Sequence, residues 1–378
     1  MSLSRERLPA PRSWGVRSRA VVYTGALVVL LVGTVLVGAR VGYEPIAYGT
    51  IARATLNAVS LPVPAPDWGQ WHLGPVSLPG PVVGLAWLSP FEFAVSDAHQ
   101  VIVVRLRLPR VALGAAVGFA LATAGTVMQG FFRNPMADPS IVGVSSGGAV
   151  GAVAAIVASV SVPLGLPVAA FLGAVGAAFL VYAVATEDGH TPVATLLLAG
   201  VAMQTFLGAV VAYMLVTNGR SLREAYLWLL GHLGWSTWGK VAVIVPVAVV
   251  AFAVLYAHAR ELNLMLLGEE EAAALGVEVE RTKRVLLAVA SVLTGAAVAV
   301  SGVIGFVGLV VPHLLRLVVG PDHRVLMPTS AVAGAVFLVA TDTVARLGAL
   351  ELPVGIVTAF LGAPFFLFLL RRREVHEL

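Results

Sequence analysis

The sequence of 378 residues contains no cysteine and little charge. Without cysteine, the chain can form no disulfide, no thiolate metal site and no thiol nucleophile. Charged residues make up 12% of the chain, about half of their share in a soluble domain. Hydrophobic residues make up 58%, and the mean hydropathy is +0.92. This composition excludes a soluble globular protein and predicts an integral membrane protein, in which the 39 glycines allow close packing of helices.

Sequence motifs for ATP or zinc chemistry are also missing. No complete Gly-x-x-x-x-Gly-Lys-Ser/Thr loop is present to bind the phosphates of ATP, and no His-Glu-x-x-His zinc helix occurs. A membrane-embedded enzyme such as a prenyl transferase would need paired acids for magnesium, and the sequence offers no such cluster. Of the eight histidines, only His313 is singled out, and we expect it to form a structural hydrogen bond. The sequence therefore predicts no enzyme activity and no cofactor or metal site in this chain.

Hydrophobic segments of spanning length follow one another along most of the chain. A bilayer core is about 30 Å thick and takes about 20 helical residues to cross. Residues 285–319 would form a single helix of about 52 Å, so this run must be broken, and Gly302, Gly305 and Gly308 mark the turn. Pro312 is tolerated in the second piece if neighbouring helices satisfy the freed carbonyl. The ten predicted spans lie near 20–38, 108–131, 141–160, 167–185, 193–216, 241–258, 284–302, 305–319, 326–347 and 353–370.

The distribution of positive charge predicts that both termini are cytoplasmic. An even number of spans places the ends on one side, and on that topology 15 of the 24 lysines and arginines lie in cytoplasmic segments. The net charge of +4 is then explained by membrane flanks, so no nucleic-acid partner is predicted. The predicted parts are a cytoplasmic head 1–19, an uncleaved first span 20–38, an external segment 39–106, a nine-span core 107–371 and a cytoplasmic tail 372–378.

The external segment 39–106 is the one long stretch that is not hydrophobic. It contains eight prolines and three tryptophans. Proline and glycine at this density break helices, and tryptophan favours the membrane–water boundary. We interpret the segment as a loop that lies partly on the bilayer, and its role is open.

Arginines cluster at the predicted outer ends of two spans. Arg107 and Arg110 lie where the second span begins, and Arg346 ends the ninth. Boundary arginines often extend to lipid phosphates, but a planar guanidinium also suits carboxylates of an external partner. Asp342 stands four residues before Arg346, so the two could pair across one helical turn. Since ionisable groups inside membranes often mark ion pathways, this pair is the basis for an alternative, an ion-gradient-driven secondary transporter.

The largest cytoplasmic loop, 260–283, predicts a short helix between two spans. Acidic residues follow Gly268 and a glycine, Gly276, follows the last alanines. Acids in the first turn and glycine after the last are typical of helix ends. A compact helix at this place suits docking to another subunit.

Several long blocks resemble the permease family of ABC importers for iron-siderophores, haem and cobalamin, the type II importers. The blocks follow the family's order from about residue 105 to 371. They include Arg107-Leu-Pro-Arg110, Gln129 to Gly148 with Asn134-Pro135 and Asp138-Pro139, Leu267-Gly268-Glu269, Gly302 to Arg316 with Pro312-His313, and Glu351-Leu-Pro353. The residues that match the family's motif are Gln129, Asn134, Pro135, Ala137, Pro139, Gly143, Gly147, Gly302, Gly305, Gly308, Pro312 and His313.

The resemblance implies an all-α permease of about ten spans that works by alternating access. In that family two copies form a homodimer with a central pathway, two separate ATP-binding subunits dock on the cytoplasmic side, and a substrate-binding protein docks outside. Carried over, the fifth span from Thr191-Pro192 lines the pathway, and a helix at 221–230 forms part of the outer vestibule. The implied coupling residues are Leu267, Gly268, Glu269, Ala272, Leu275 and Gly276, and the implied docking residues are Arg107, Arg110 and Arg346.

The resemblance predicts a multi-pass cell-membrane importer of a metal chelate, in contact with membrane lipid. The sequence does not separate cobalamin from an iron-siderophore or haem. Iron chelates are the commoner assignment in the family, and cobalamin remains open beside them. The long segment before residue 108 departs from the family, whose connection at this point is much shorter.

Overall fold

The structure is a computed structural model that describes residues 15–73, 76–348 and 350–371. Over these residues the chain folds into fifteen α-helices, one β-hairpin and short 3₁₀ and π segments. The helices are α1 (Val16–Arg40), α2 (Tyr48–Asn57), α3 (Asp97–Val101), α4 (Leu108–Phe131), α5 (Val144–Val157), α6 (Gly165–Ala185), α7 (Val193–Thr217), α8 (Leu222–Leu229), α9 (Trp238–Ala257), α10 (Ala259–Met265), α11 (Glu269–Ala274), α12 (Val279–Ser301), α13 (Val307–Val319), α14 (His323–Ala345) and α15 (Val354–Arg371).

The ten predicted spans correspond to ten apolar helices. Seven helical runs in the described chain are long and apolar enough to cross a membrane, and α5, α13 and α15 are shorter apolar helices. The break predicted inside 285–319 is confirmed, because α12 ends at Ser301 and α13 begins at Val307. Gly302 has a φ of +73°, a left-handed conformation that glycine adopts without steric penalty. The structure thus confirms an all-α membrane protein of about ten spans.

The helix that contains the second span begins earlier than the predicted span. The helical run extends from Asp97 to Phe131, whereas the predicted span starts near residue 108. A π segment, Ile102–Arg107, joins α3 to α4, and Pro109, just after it, has no N–H to donate. The run of 35 residues is longer than the bilayer core is thick, so its first turns lie outside that core.

The external segment contains regular structure that the sequence did not predict. Helix α2 is followed by strands β1 (Leu61–Leu73) and β2 (Val76–Leu88), which pair antiparallel from Leu61↔Leu88 to Leu73↔Val76. The prolines predicted an irregular loop. A two-stranded ribbon consists only of edge strands, where proline is tolerated because no central ladder bond is lost.

The core is built around α4, α12 and α14. In the most apolar 18-residue stretch of each helical run, 83%, 72% and 72% is buried inside the protein for the runs that contain α4, α12 and α14. The corresponding share is 0% for α1 and 11% for α7. Glycines allow the closest approaches: Gly118 of α4 faces Gly334 of α14, and Gly147 of α5 faces Gly173 of α6. Small residues at helix crossings let the two backbones approach closely. The resulting van der Waals packing stabilises helix association in lipid, where the hydrophobic effect does not drive it. Helix α1 packs on the outside against α14.

Candidate coupling and docking sites

The short helix predicted between two spans is confirmed as α11. Its first turn contains three glutamates, Gly268 precedes it with a φ of +141°, and Gly276 follows it with a φ of +88°. The buried Ala272 faces the protein. Leu267 and Leu275, at either end, are 63% and 59% exposed. Leu267 precedes this helix and Leu275 is its C-cap, so exposed apolar side chains flank α11 at both ends and are available for contact with another protein.

A polar cleft lies next to α11. It has a volume of about 460 Å³ and runs between α10 and the first turn of α12. Leu275 and Gly276 form one wall, and charged side chains form the other. The lining residues are His258, Arg260, Glu261, Leu264, Leu275, Gly276, Val277, Glu278, Arg281, Thr282 and Val285.

The segment before α11 is anchored to the core through Asn263 of α10. The Asn263 amide donates to Asp322 at 2.7 Å, and the Asn263 carbonyl oxygen accepts from the backbone N–H of His323 at 2.9 Å. Burial alone would raise the pKa of Asp322, but hydrogen bonds from Arg324 and Asn263 outweigh it and lower that pKa to about 2. These hydrogen bonds therefore join the start of α14 to the segment that leads to α11.

Lys283, near the start of α12, is a residue that the sequence analysis missed. Its side chain is 3% exposed, and its ammonium lies 2.9 Å from Glu269 Oε2 and 2.9 Å from Glu280 Oε1. The same ammonium donates to the backbone carbonyl of Thr191 at 3.0 Å. One side chain thus joins α11 to the residue before the predicted pathway helix. Glu280 is a local i,i+3 partner, but Glu269 and Thr191 come from other segments, which no local sequence pattern could reveal.

The motif 129–148 forms a turn and a helix start close to α13. The amide of the fully buried Gln129 donates to the carbonyl of Leu309 at 2.9 Å, which joins α4 to α13. Asp138 caps the 3₁₀ segment Pro139–Val142 by accepting from the N–H of Ser140 at 2.9 Å. Burial raises the pKa of Asp138, and the hydrogen bonds from Ser140 oppose this rise. The predicted end of the second span before Pro135 is confirmed, since α4 ends at Phe131.

Most of the remaining motif residues pack the interior, whereas Asn134 and Gly305 are exposed. Ala137, Gly147, Gly302, Gly308, Pro312 and His313 are buried. The expected structural hydrogen bond of His313 is wrong: neither ring nitrogen has a partner among the described residues. The buried guanidinium nitrogens of Arg316, three residues later on α13, likewise have no hydrogen-bond partner among the described residues. No group of three histidine, aspartate or glutamate residues in the described chain could hold a metal ion.

Two of the three predicted docking arginines are buried and hold the end of α1. Arg107 is 7% exposed and donates to the carbonyls of Ala39 at 3.1 Å and Arg40 at 2.9 Å, and also to the carbonyl of Glu44. Arg346 is 7% exposed and donates to the carbonyl of Val41 at 2.8 Å. The last carbonyls of a helix carry partial negative charge that cations stabilise. Both arginines therefore bind the C-terminal end of α1.

A buried carboxylate links two of these arginines. Asp342 is 2% exposed and lies 3.1 Å from Arg346 and 3.1 Å from Arg110. Asp342 and Arg346 therefore form the ion pair across one helical turn that the sequence suggested. Arg110 also contacts Glu351 at 2.8 Å, and the Glu351 side chain is 59% exposed.

The predicted docking residues Arg107 and Arg346 are therefore buried in the structure. Their guanidinium groups face backbone carbonyls and a carboxylate inside the protein, because the segment 39–44 folds over them. Their role in docking remains a prediction. Arg110 is the member of the set nearest to solvent through its partner Glu351.

A neutral histidine lies near this cluster. His232 precedes α9 and packs edge-on against Trp235, with 4.1 Å between ring centroids. Burial, followed by the charges of Lys240 and Arg110, lowers the pKa of His232 from 6.5 to about 4. Between these values the unfolded chain binds a proton at this position that the folded chain does not.

Acid should therefore destabilise the protein through His232. The free energy of unfolding should rise with pH between about 4 and 6.5, because the unfolded state binds more protons there. We expect His232→Phe to lose less thermal stability than the wild type between about pH 7.5 and about pH 5. The measurement is thermal unfolding of the detergent-solubilised protein at both pH values. His190→Gln, at a side chain that is 79% exposed, is the control, and an equal acid response in wild type and His232→Phe would contradict the prediction.

Comparisons with known proteins agree with this architecture. The model of the FecCD transport family matches residues 74–372. A cobalamin import system permease of Halobacterium salinarum is 58% identical over 364 residues, which cover 96% of this chain and 99% of the relative. A hemin transport system permease of Yersinia pestis is 43% identical, covering 77% of this chain and 90% of the relative. An iron(III) dicitrate transport system permease of Escherichia coli is 37% identical, covering 80% and 93%.

A solved structure has the same fold. It is a metal-chelate type ABC transporter in an inward-facing conformation, superposed with a TM-score of 0.75 at 29% identity over 92% of this chain and 98% of that chain. The ion-gradient alternative has no support among these relatives, which are permeases of ATP-driven importers. The chain belongs to the FecCD transport family and is a membrane-embedded permease subunit of an ABC importer rather than an enzyme.

Proposed function

We propose that the chain forms the translocation pathway of a cobalamin importer. The observation that carries this proposal is the 58% identity to a cobalamin import permease over 96% of the chain. The haem and iron(III) dicitrate permeases are less similar, at 43% and 37%. The sequence left iron chelates and cobalamin open, and this difference in identity favours cobalamin.

A homodimer is part of the proposal. Helix α7 has large exposed apolar side chains, with Leu198 at 72% and Phe206 at 63% exposure. Other spans precede and follow it in the sequence, yet they leave this face uncovered. Helix α15 likewise exposes Phe360 at 75%. A second copy packed on these faces would enclose a pathway, while the exposed apolar face of α1 would contact lipid. Helix α8 would form part of the outer vestibule.

Two separate ATP-binding subunits would supply the energy. The chain has no complete phosphate-binding loop of its own, and α11 offers its exposed leucines beside the polar cleft. We place this end of the bundle in the cytoplasm, with both termini, because most positive charge lies there. A substrate-binding protein would dock at the opposite end, where Arg110 and Glu351 lie closest to solvent. Closure of the ATP-binding subunits would then alternate access to the pathway between the two sides.

Uptake in a deletion strain tests the proposed substrate. Radiolabelled cobalamin and a radiolabelled iron-siderophore are offered in parallel to the wild type, the deletion and the complemented strain. Loss of cobalamin uptake alone, restored by the gene, is the expected result. Loss of iron uptake alone would assign the protein to the siderophore systems, and unchanged uptake of both would reject the cobalamin assignment in that cell.

A further inference from the structure

Three segments of the chain meet at the ammonium group of Lys283. Glu269 is the first residue of α11, Glu280 lies in the first turn of α12, and Thr191 stands two residues before α7. Their oxygens lie at 2.9, 2.9 and 3.0 Å from Nζ. Lysine has three donors, so every donor of this buried group has an acceptor. Breaking one of these contacts therefore leaves a donor of this buried ammonium without an acceptor.

The choice of lysine at this position follows from geometry. The chain uses two lysines against 22 arginines, and Lys283 is the one that is 3% exposed. The guanidinium of arginine is a flat fork that suits a single carboxylate. Two carboxylates and a backbone carbonyl from three directions suit a compact ammonium with rotatable donors instead.

The turn between α6 and α7 is attached to the base of α12 by further contacts. The side chain of Thr191 is 1% exposed, and its hydroxyl lies 2.9 Å from that of Thr186. His190 Nδ1 lies 3.9 Å from Glu280. The next residue, Pro192, is the N-cap of α7, and its carbonyl accepts from the N–H of Leu196 at 3.0 Å. A displacement of the Thr191 carbonyl therefore passes directly to the first turn of α7.

We propose that Lys283 is the positioning residue that transmits movement of α11 to the inner end of α7. This inference rests on the proposed function, in which α11 contacts the ATP-binding subunits and α7 lines the pathway. When those subunits pull on α11, Glu269 moves the Lys283 ammonium, and the ammonium moves the Thr191 carbonyl. The Lys283 ammonium thereby links α11 to the turn before α7, two elements that lie far apart in the sequence.

The test compares Lys283→Met with Arg284→Met in the assembled transporter. Arg284 is the next residue on the same helix; it is exposed and, among the described residues, donates only to the backbone carbonyl of Glu280, at 3.4 Å. The permease is reconstituted in vesicles with its ATP-binding subunits and binding protein, and substrate uptake and ATP hydrolysis are measured together. We expect uptake per ATP hydrolysed to fall about tenfold in Lys283→Met, within the usual range of coupling between sites, and to be unchanged in Arg284→Met.

A merely structural role gives a different result. A loosened fold would lower uptake and hydrolysis in parallel, so an unchanged ratio in Lys283→Met would overturn the proposal. If Lys283→Met does not assemble, Glu269→Gln removes the charge on α11 alone and should lower the same ratio. In the double variant the two effects should not add, because both remove one shared contact. A wild-type complex without ATP-driven uptake would instead reject the proposed function.

The absence of cysteine in this chain allows a direct readout of α7. A spin label on Glu187→Cys, an exposed position in the turn before α7, reports movement of that turn. ATP should change its spectrum in the otherwise wild-type complex and leave it unchanged in Lys283→Met. An equal ATP response in both would show that movement reaches α7 by another route and would overturn the proposal even where no substrate is known.

Discussion

Replacing Asp342 by alanine is expected to lower the free energy of unfolding by about 3–5 kcal/mol, the usual cost of removing one partner from a buried ion pair. Asp342 is 2% exposed and is shared by Arg110 and Arg346. Without it, two guanidinium groups would face each other across an apolar interior. Arg346 also donates to Val41, so a displaced Arg346 would release the end of α1.

Glu351→Gln provides the matched control. Glu351 contacts the same Arg110, at 2.8 Å, but its side chain is 59% exposed. Exposed ion pairs contribute about 0–1 kcal/mol, so this variant should unfold nearly like the wild type. The measurement is unfolding of the purified protein in mixed micelles with increasing denaturing detergent. A similar decrease in the free energy of unfolding of the two variants would show that Asp342 does not stabilise the cluster more than Glu351 does.

The burial of this cluster also changes how docking should be tested. Charge reversal at Arg107 or Arg346 would remove contacts to the carbonyls of Ala39, Arg40 and Val41. Weak docking of such a variant would then follow from a misplaced α1 as readily as from a lost interface. Docking experiments are informative only with a parallel measurement of folding.

The sequence predicted the spans well because each is a local property. A run of about 20 apolar residues is long enough to cross the bilayer core, so each span can be recognised from its own residues. Glycine and proline mark the breaks within the run 285–319. The short helix α11 was predicted from its acidic first turn and from Gly268 and Gly276, which are again local signals.

Features that depend on distant pairing could not be predicted in this way. The strands β1 and β2 carry prolines that argue against regular structure, and only their mutual pairing makes a hairpin. Arg107 reaches carbonyls that lie 67 and 68 residues earlier, and Lys283 bonds to Thr191, 92 residues earlier. In each case the residue type indicates a charge, but only the fold supplies the partner that buries it.

Gly125→Ala is expected to lower the free energy of unfolding by about 2–4 kcal/mol, from overpacking and from lost hydrogen bonds. A Cβ at this position would stand 2.6 Å from Gly308 Cα and still closer to the Gly308 carbonyl. Since the obstacle is backbone rather than a flexible side chain, α4 and α13 must separate. The Gln129 amide, one turn further along α4, would then lose its acceptors Gly308 and Leu309.

The control for Gly125→Ala is Gly33→Ala, which is expected to change the free energy of unfolding in the opposite direction. Gly33 lies on the exposed face of α1, where an added Cβ meets nothing within 4 Å. Alanine is a better helix former than glycine by about 0.8–1 kcal/mol, so Gly33→Ala should raise the free energy of unfolding. Detergent unfolding of both variants beside the wild type measures the two effects. A Gly125→Ala protein as stable as the wild type would show that α4 and α13 can part without loss, and that their contact does not hold the core together.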